Sequence, residues 1–467
     1  MGVVVLAVGA SALGAQEQRV EYHVSWSVDA FPTAQIVAHL NILGGRLEMF
    51  PGLAWAFGDD RGWATNVRNL EVTDDRGRAL AAVPGTGPEW VVGDGYEGPA
   101  TVRYDVDYTF AEQSYTTGNE QVAWLRDRAL FTTGFALFVH AGQDVPASIS
   151  LDVPDGWRVA TAWPRDEDGT YRAANLNDLI RNVLTVGTGY HLESLTHRSM
   201  SVDIALMGEH AEAAGLIRRT FSGILDYYMR MLDFDAPGHF LMVLLPGPND
   251  GEGYMTSFAS SQPDVPSERD RLVWANSLAH ELFHYWNGAR ISSVWEHYPE
   301  RQWFSEGFTE YYANRALLDG GLIDQRRYEE ILGHYLSFHL FFAQSDLFDE
   351  VTSREAGQRK GLYRPGVYDS GVAVAFCLDG QIREGTGGRR TLDDFMRLME
   401  RRYGEPGRPI VFRDIVEAAS ETAGTDLSDF FGQHVEARIP LPIRQCANQM
   451  GYRALVDGYH VYLEPSR

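Results

Sequence analysis

From Arg19 to Trp26 apolar and polar residues alternate, and they do so again from Ala34 to Leu43 and from Ala100 to Tyr108. A period of two describes a strand with one buried face. Turn-forming clusters such as Asp74-Asp75-Arg76-Gly77 separate these runs. The stretch from about Gln18 to Thr188 therefore predicts an antiparallel β-sandwich. From about Ser199 the pattern changes. Ala211 to Leu232 reads as a long helix, His239 to Leu245 as a short buried strand, Pro246 to Gly253 as a loop and Tyr254 to Phe258 as extended. A helix then starts near Ser267, where Ser267 and Asp270 resemble a capping box, and stops at Asn287-Gly288. A second begins near Phe304. Beyond Ile323 the pattern is mostly helical: Arg326 to Leu347, Tyr368 to Arg383, Thr391 to Tyr403, Ile410 to Ala423 and Leu427 to Val435. A strand-like piece, Tyr452 to Leu463, comes last. The expected fold class is α+β and multidomain: an N-terminal antiparallel β-sandwich over 16–195, a mixed domain over 196–322, a C-terminal α-helical domain over 323–445 and a strand-like tail over 446–467.

Composition refines this picture at a few points. Hydrophobic residues make up 44% of the 467 and aromatics 12%, ample for packed cores. A net charge of −24 argues against nucleic-acid and anionic-membrane partners, which call for basic patches. Residues 1–15 form a signal-like segment, apolar and ending Ala12-Leu13-Gly14-Ala15, without the positively charged start of a standard leader. It leans towards a periplasmic or secreted location, and no later run is long enough to insert the mature chain in a bilayer. Only Lys360 among the 40 basic residues is a lysine. That reads as coding bias and removes a lysine nucleophile from consideration. The two cysteines, Cys377 and Cys446, lack metal-type spacing. Cys377 reads most simply as a small buried hydrophobe, with a single disulfide left open.

The chemistry concentrates at His280-Glu281-Leu282-Phe283-His284. On a helix, residues four apart share a face, so His280 and His284 can aim two imidazoles at one metal ion. Glu306, at the start of the next helix, supplies a third ligand. Two imidazoles and a carboxylate leave a fourth position for water, the arrangement of a catalytic zinc. Glu281, beside the first ligand, suits a base that takes a proton from that water and passes it to a leaving amine. Glu310, one turn after Glu306, can accept the second N–H of a ligand histidine or lie on a solvated face. His297, between the two halves, reads as an ordinary histidine.

These residues also resemble a known family. His280-Glu281-Leu282-Phe283-His284-Tyr285-Trp286-Asn287 is similar to the H-E-x-x-H-x-W-N signature of the glycyl aminopeptidases, gluzincin zinc metallopeptidases. Trp303-Phe304-Ser305-Glu306-Gly307-Phe308-Thr309-Glu310-Tyr311-Tyr312 is similar to their S-E-G-F-T-x-Y-Y block. The resemblance implies a thermolysin-like catalytic domain with one Zn2+ ion between the β-rich and helical domains. It also implies a tyrosine that hydrogen-bonds the oxyanion; the matching position is Tyr368, in Tyr368-Asp369-Ser370-Gly371. Two departures stand out. Ser370 takes the place of a lysine in the usual Y-x-K-G. The strand expected to read the substrate's amino end, normally Gly-Gly-Leu-Glu-His-like, is Gly251-Glu252-Gly253-Tyr254-Met255 here, with Tyr254 at the glutamate's place. Glu252, Gly253 and Tyr254 are the substrate-binding candidates. The expected activity is hydrolysis of peptide bonds, with release of small N-terminal residues. The alternatives are a zinc peptidase indifferent to a free N-terminus and a non-catalytic peptide binder with structural zinc. Peptide is the expected partner; oligomeric state is left open.

Overall fold

The computed structural model describes residues 20–51, 60–109, 123–235, 238–292, 298–348, 350–405 and 408–466. The signal-like segment and His297 lie outside them. In the strand Ala34–Ile42 every second residue, from Ala34 to Ile42, is buried. This strand pairs antiparallel with Val20–Ser25 on one side and Gly98–Val106 on the other. They belong to a seven-stranded sheet, accompanied by a four-stranded and a three-stranded one. One pairing departs from the antiparallel expectation: Val20–Ser25 runs parallel to Ala147–Asp152, closed by a long crossover as parallel neighbours require. Three buried hydroxyls, of Tyr22, Tyr104 and Tyr108, donate to the carbonyls of Val139, Leu137 and Ala136. They satisfy a stretch of backbone that no strand partner covers.

A five-stranded sheet follows, in the order Tyr190–His197, Met200–Met207, Gly238–Pro246, Ser257–Gln262 and Asp250–Gly253. Its central strands are apolar on both faces because both faces are covered. Val202, Ile204, Phe240, Met242 and Leu244 face the helices. Ala205, Met207, Leu241, Val243 and Leu245 join the core of the β domain. One sheet thus serves as wall to two cores.

Several sequence expectations shift. The boundary at residues 195 and 196 falls inside the strand Tyr190–His197, and the one at 445 and 446 falls inside the helix Ile443–Gln449. The segments 196–322 and 323–445 share one large apolar core. The loop expected over Pro246–Gly253 contains the edge strand Asp250–Gly253, whose polar, glycine-rich composition hides it from any hydrophobic pattern. The helix expected near Ser267 begins at Arg271. Ser267 Oγ instead accepts from Asp270 N at 3.4 Å, closing the turn before the helix. Cys377 is buried, as expected of it, and is disulfide-bonded to Cys446. The bond ties the longest helix, Arg364–Thr386, to the short helix Ile443–Gln449.

Candidate active site

Three helices build the site. The histidine helix, Arg271–Phe283, buries Trp274, Leu278, Leu282 and Phe283 and turns His280 and Glu281 inward. The chain then winds on with wider turns: Ala289 N donates to His284 O at 2.9 Å and Ile291 N to Trp286 O at 2.8 Å. Such π-type turns recur at functional sites. This one carries Asn287, whose Nδ2 donates to Phe304 O at 3.0 Å and to Thr309 Oγ1 at 3.3 Å. The asparagine of the H-E-x-x-H-x-W-N motif is therefore a clamp between the end of the histidine helix and the glutamate helix, Gln302–Asp319.

The glutamate helix is buried on nearly every face. It crosses the tyrosine helix, Arg364–Thr386, where Gly307 meets Gly371 backbone to backbone. A Cβ at either position would overlap main-chain atoms of the opposite helix. This contact fixes Glu306 and Tyr368 on facing helices.

His280 Nε2 lies 3.2 Å from Glu306 Oε2 and 3.1 Å from His284 Nε2, and His284 Nε2 lies 3.6 Å from the same oxygen. One donor atom from each of His280, His284 and Glu306 falls within 4.8 Å of the others, and among the described residues they form a group able to hold a metal ion. His280 Nδ1 is bonded to Glu310 Oε2 at 2.8 Å. Glu310 Oε1 in turn accepts from Asn276 at 3.2 Å, from Asn314 at 3.0 Å and from Tyr335. Of the two readings of Glu310, the structure has the buried partner of His280.

The electrostatics call for a cation. Burial pulls the His280 imidazole down, but hydrogen bonds to Glu306 and Glu310 outweigh it and hold its pKa well up, at about 10. Burial alone would raise Glu306; Lys360 and the two histidines drive it well below the usual range instead. Glu310 likewise overcomes burial through His280, Tyr335 and Asn314 and falls to about 2. Glu281 behaves in the opposite way: burial raises it, against the pull of the histidines. Two imidazoles among three buried carboxylates form a site that a divalent cation balances, and the donor set fits zinc.

The edge strand Asp250–Gly253 lies against these residues. A Cβ on Gly251 would sit 2.6 Å from Glu281 Cγ, and one on Gly253 would sit 2.5 Å from His284 Cβ. Glu252, between them, is half-buried. Tyr254 is 3% exposed and packs into the β-domain core rather than towards the ligand group. Tyr368 stacks on His280, with ring centroids 6.1 Å apart and planes 30° from parallel.

Sequence reasoning missed Lys360. Its Nζ is 2.8 Å from Glu306 Oε1. The one signal pointing to it, its being the sole lysine, gives no position in space. Asn276, Asn287 and Tyr335 were missed as well, since their roles appear only when the helices meet.

Fold and site together define a peptidase. A crystal structure of an aminopeptidase N family protein from Idiomarina loihiensis superposes with a TM-score of 0.77, over 93% of this chain and 79% of that one, at 18% identity. That similarity speaks for the fold. Residues 59–182 match the Peptidase M61 N-terminal domain and residues 274–347 match M61 glycyl aminopeptidase. Over these two stretches the chain is similar to the M61 glycyl aminopeptidases. No curated protein sequence matches it.

Proposed function

We propose that this peptidase is a zinc enzyme that releases small residues from peptide N-termini. The observation that carries the reading is the convergence of His280, His284 and Glu306 on one point, with Glu281 beside it and Tyr368 stacked on His280. A zinc ion held by these three residues would polarise the scissile carbonyl and acidify the attacking water. The chain's own groups do the proton work. Glu281 takes the water's proton and delivers it to the leaving amine, and a carboxyl raised by burial suits both halves of that task. Tyr368 donates to the developing oxyanion. Burial pushes its phenol upward, so it stays an un-ionised donor. Glu310 holds the Nδ1 proton of His280 and thereby presents the Nε2 lone pair to the ion.

Release from the N-terminus needs a group that recognises an ammonium. Tyr254 does not supply one, and we take Glu252, on the edge strand beside the site, as the candidate carboxylate. Export to the periplasm or the outside accords with the Cys377–Cys446 disulfide, since such bonds persist in oxidising compartments. Among the described residues no helix is long and apolar enough to cross a membrane.

The test is cleavage of a glycyl or alanyl peptide by zinc-loaded protein, with the free and N-acetylated peptides compared. The free peptide should be cut at least about 100-fold faster, the scale on which an unpaired buried charge discriminates. Equal rates would favour the peptidase that ignores the N-terminus, a reading motivated by the buried Tyr254.

A further inference from the structure

We propose that Lys360 is a positioning residue of the hydrolytic site, one ammonium that holds both the ligand carboxylate of Glu306 and the phenol of Tyr368. What those two groups do rests on the zinc-peptidase reading above; where Lys360 stands does not.

Lys360 lies in the turn before the tyrosine helix, its side chain 41% exposed against 5% for Glu306. Its Nζ bonds Glu306 Oε1 at 2.8 Å. The other oxygen, Oε2, is the one that faces both histidine Nε2 atoms. The lysine thus occupies one side of the carboxylate and leaves the other for the ion. The same ammonium is 5.2 Å from the centroid of the Tyr368 ring and acts on its hydroxyl against the rise that burial gives it. An ammonium can only donate, so towards Lys360 the phenol oxygen is the acceptor. The phenol's own hydrogen is then available to a substrate oxyanion. A hydroxyl that already accepts from a cation is polarised and donates more strongly.

The neighbouring position explains why this cation comes from residue 360. Ser370, where the resemblance leads one to expect lysine, is fully buried and bonded to His339 Nδ1 at 3.0 Å. A lysine there would bury its charge in the helical core, at a cost of several kcal/mol. Lys360 delivers the charge to Tyr368 through space. Arg364 lies 4.0 Å over the same ring and adds positive field, but Lys360 is the group that bonds the ligand carboxylate.

An ion pair of purely structural value would show itself in unfolding alone. The experiment therefore measures zinc affinity by competition with a chromogenic chelator, alongside kcat and KM for a glycyl anilide. Lys360→Met should weaken zinc binding roughly 10- to 100-fold. It should also lower kcat by about 100-fold with KM changed less than about threefold, the mark of a group that acts in the transition state. Lys360→Arg should recover most of the zinc affinity. Reductive methylation of the wild-type holoenzyme provides a second route that needs no refolding. Dimethyl-lysine keeps its charge but has one N–H, too few for both partners, and kcat should fall at least about tenfold. Lys360→Arg treated in the same way controls for the chain's α-amine. Zinc affinity and kcat within twofold of wild type in both Lys360→Met and the methylated enzyme would overturn the proposal. Wild-type protein that binds zinc more tightly than Lys360→Met yet cleaves no peptide would overturn the peptidase chemistry and support the hold on Glu306.

Discussion

Gly251 and Gly253 show how closely single residues bind this site to its frame. Both face the histidine helix, and their missing side chains let the edge strand touch Glu281 and His284. A methyl group at 253 would press on His284 Cβ, which sits too near the backbone to swing away. Gly253→Ala should therefore move either the strand or the imidazole by a few tenths of an ångström. Misplacements of that order are costly in catalysis, and kcat/KM should fall at least about tenfold while circular dichroism remains native. Wild-type kcat/KM in Gly253→Ala would show that the strand has slack here. At this scale much of the site was legible in the sequence. The spacing of His280, Glu281 and His284 is a local fact of helix geometry, and Glu306 with Glu310 repeats it one helix later. Lys360, Asn276 and Tyr335 were not legible, because their contacts arise from segments brought together only by folding.

At the scale of elements, the site depends on how two buried helices cross. Gly307 and Gly371 let the glutamate and tyrosine helices meet without side chains between them. The glycine that follows Tyr368 by three residues is thus a packing requirement, and it sets the distance between the ligand carboxylate and the phenol. Gly371→Ala would drive its methyl into the backbone at Trp303 and Gly307. Overpacking of this kind costs about 1–3 kcal/mol, an effect that urea unfolding should register as a lower midpoint. Activity should fall further than stability, since the same shift separates Glu306 from Tyr368. An unchanged urea midpoint would mean that the helices can part freely. The helices themselves were readable: the start of Gln302–Asp319, and both ends of Gln325–Gln344 and Leu392–Tyr403, fall within a few residues of the pattern. The edge strand Asp250–Gly253 was not, because four polar and glycine residues carry no periodicity. It is a strand by virtue of its pairing with Ser257–Gln262.

Over the whole molecule, the sequence pattern with the family resemblance predicted three domains, whereas packing produced two large cores that share the five-stranded sheet, with a small third cluster around Phe342 and Val367. Patterning tells which face of an element is buried, not which neighbour buries it, and so the union of the catalytic and helical segments was out of its reach. His339 links three pieces of that joint core. Its Nδ1 is bonded to Ser370 Oγ at 3.0 Å, and its Nε2 accepts from Leu441 N at 3.1 Å. Both ring nitrogens are thereby committed to the neutral form: Nδ1 carries the hydrogen, and a proton on Nε2 would face another N–H. Burial, with the nearby His434, lowers the pKa to about 3, whereas in the unfolded chain it returns to about 6.5. Between those values the unfolded state binds one proton more than the folded state. This contribution is fully present above pH 6.5 and is lost as the pH falls towards 3. His140, which burial lowers to about 4, acts in the same direction. In metal-free protein, urea unfolding between pH 6 and 4.5 should show stability falling with acid. His339→Gln should remove about 1.4 kcal/mol per pH unit from that slope, the linkage value of one proton. Identical slopes for wild type and His339→Gln would mean that His339 takes up its proton in the folded state as readily as in the unfolded chain.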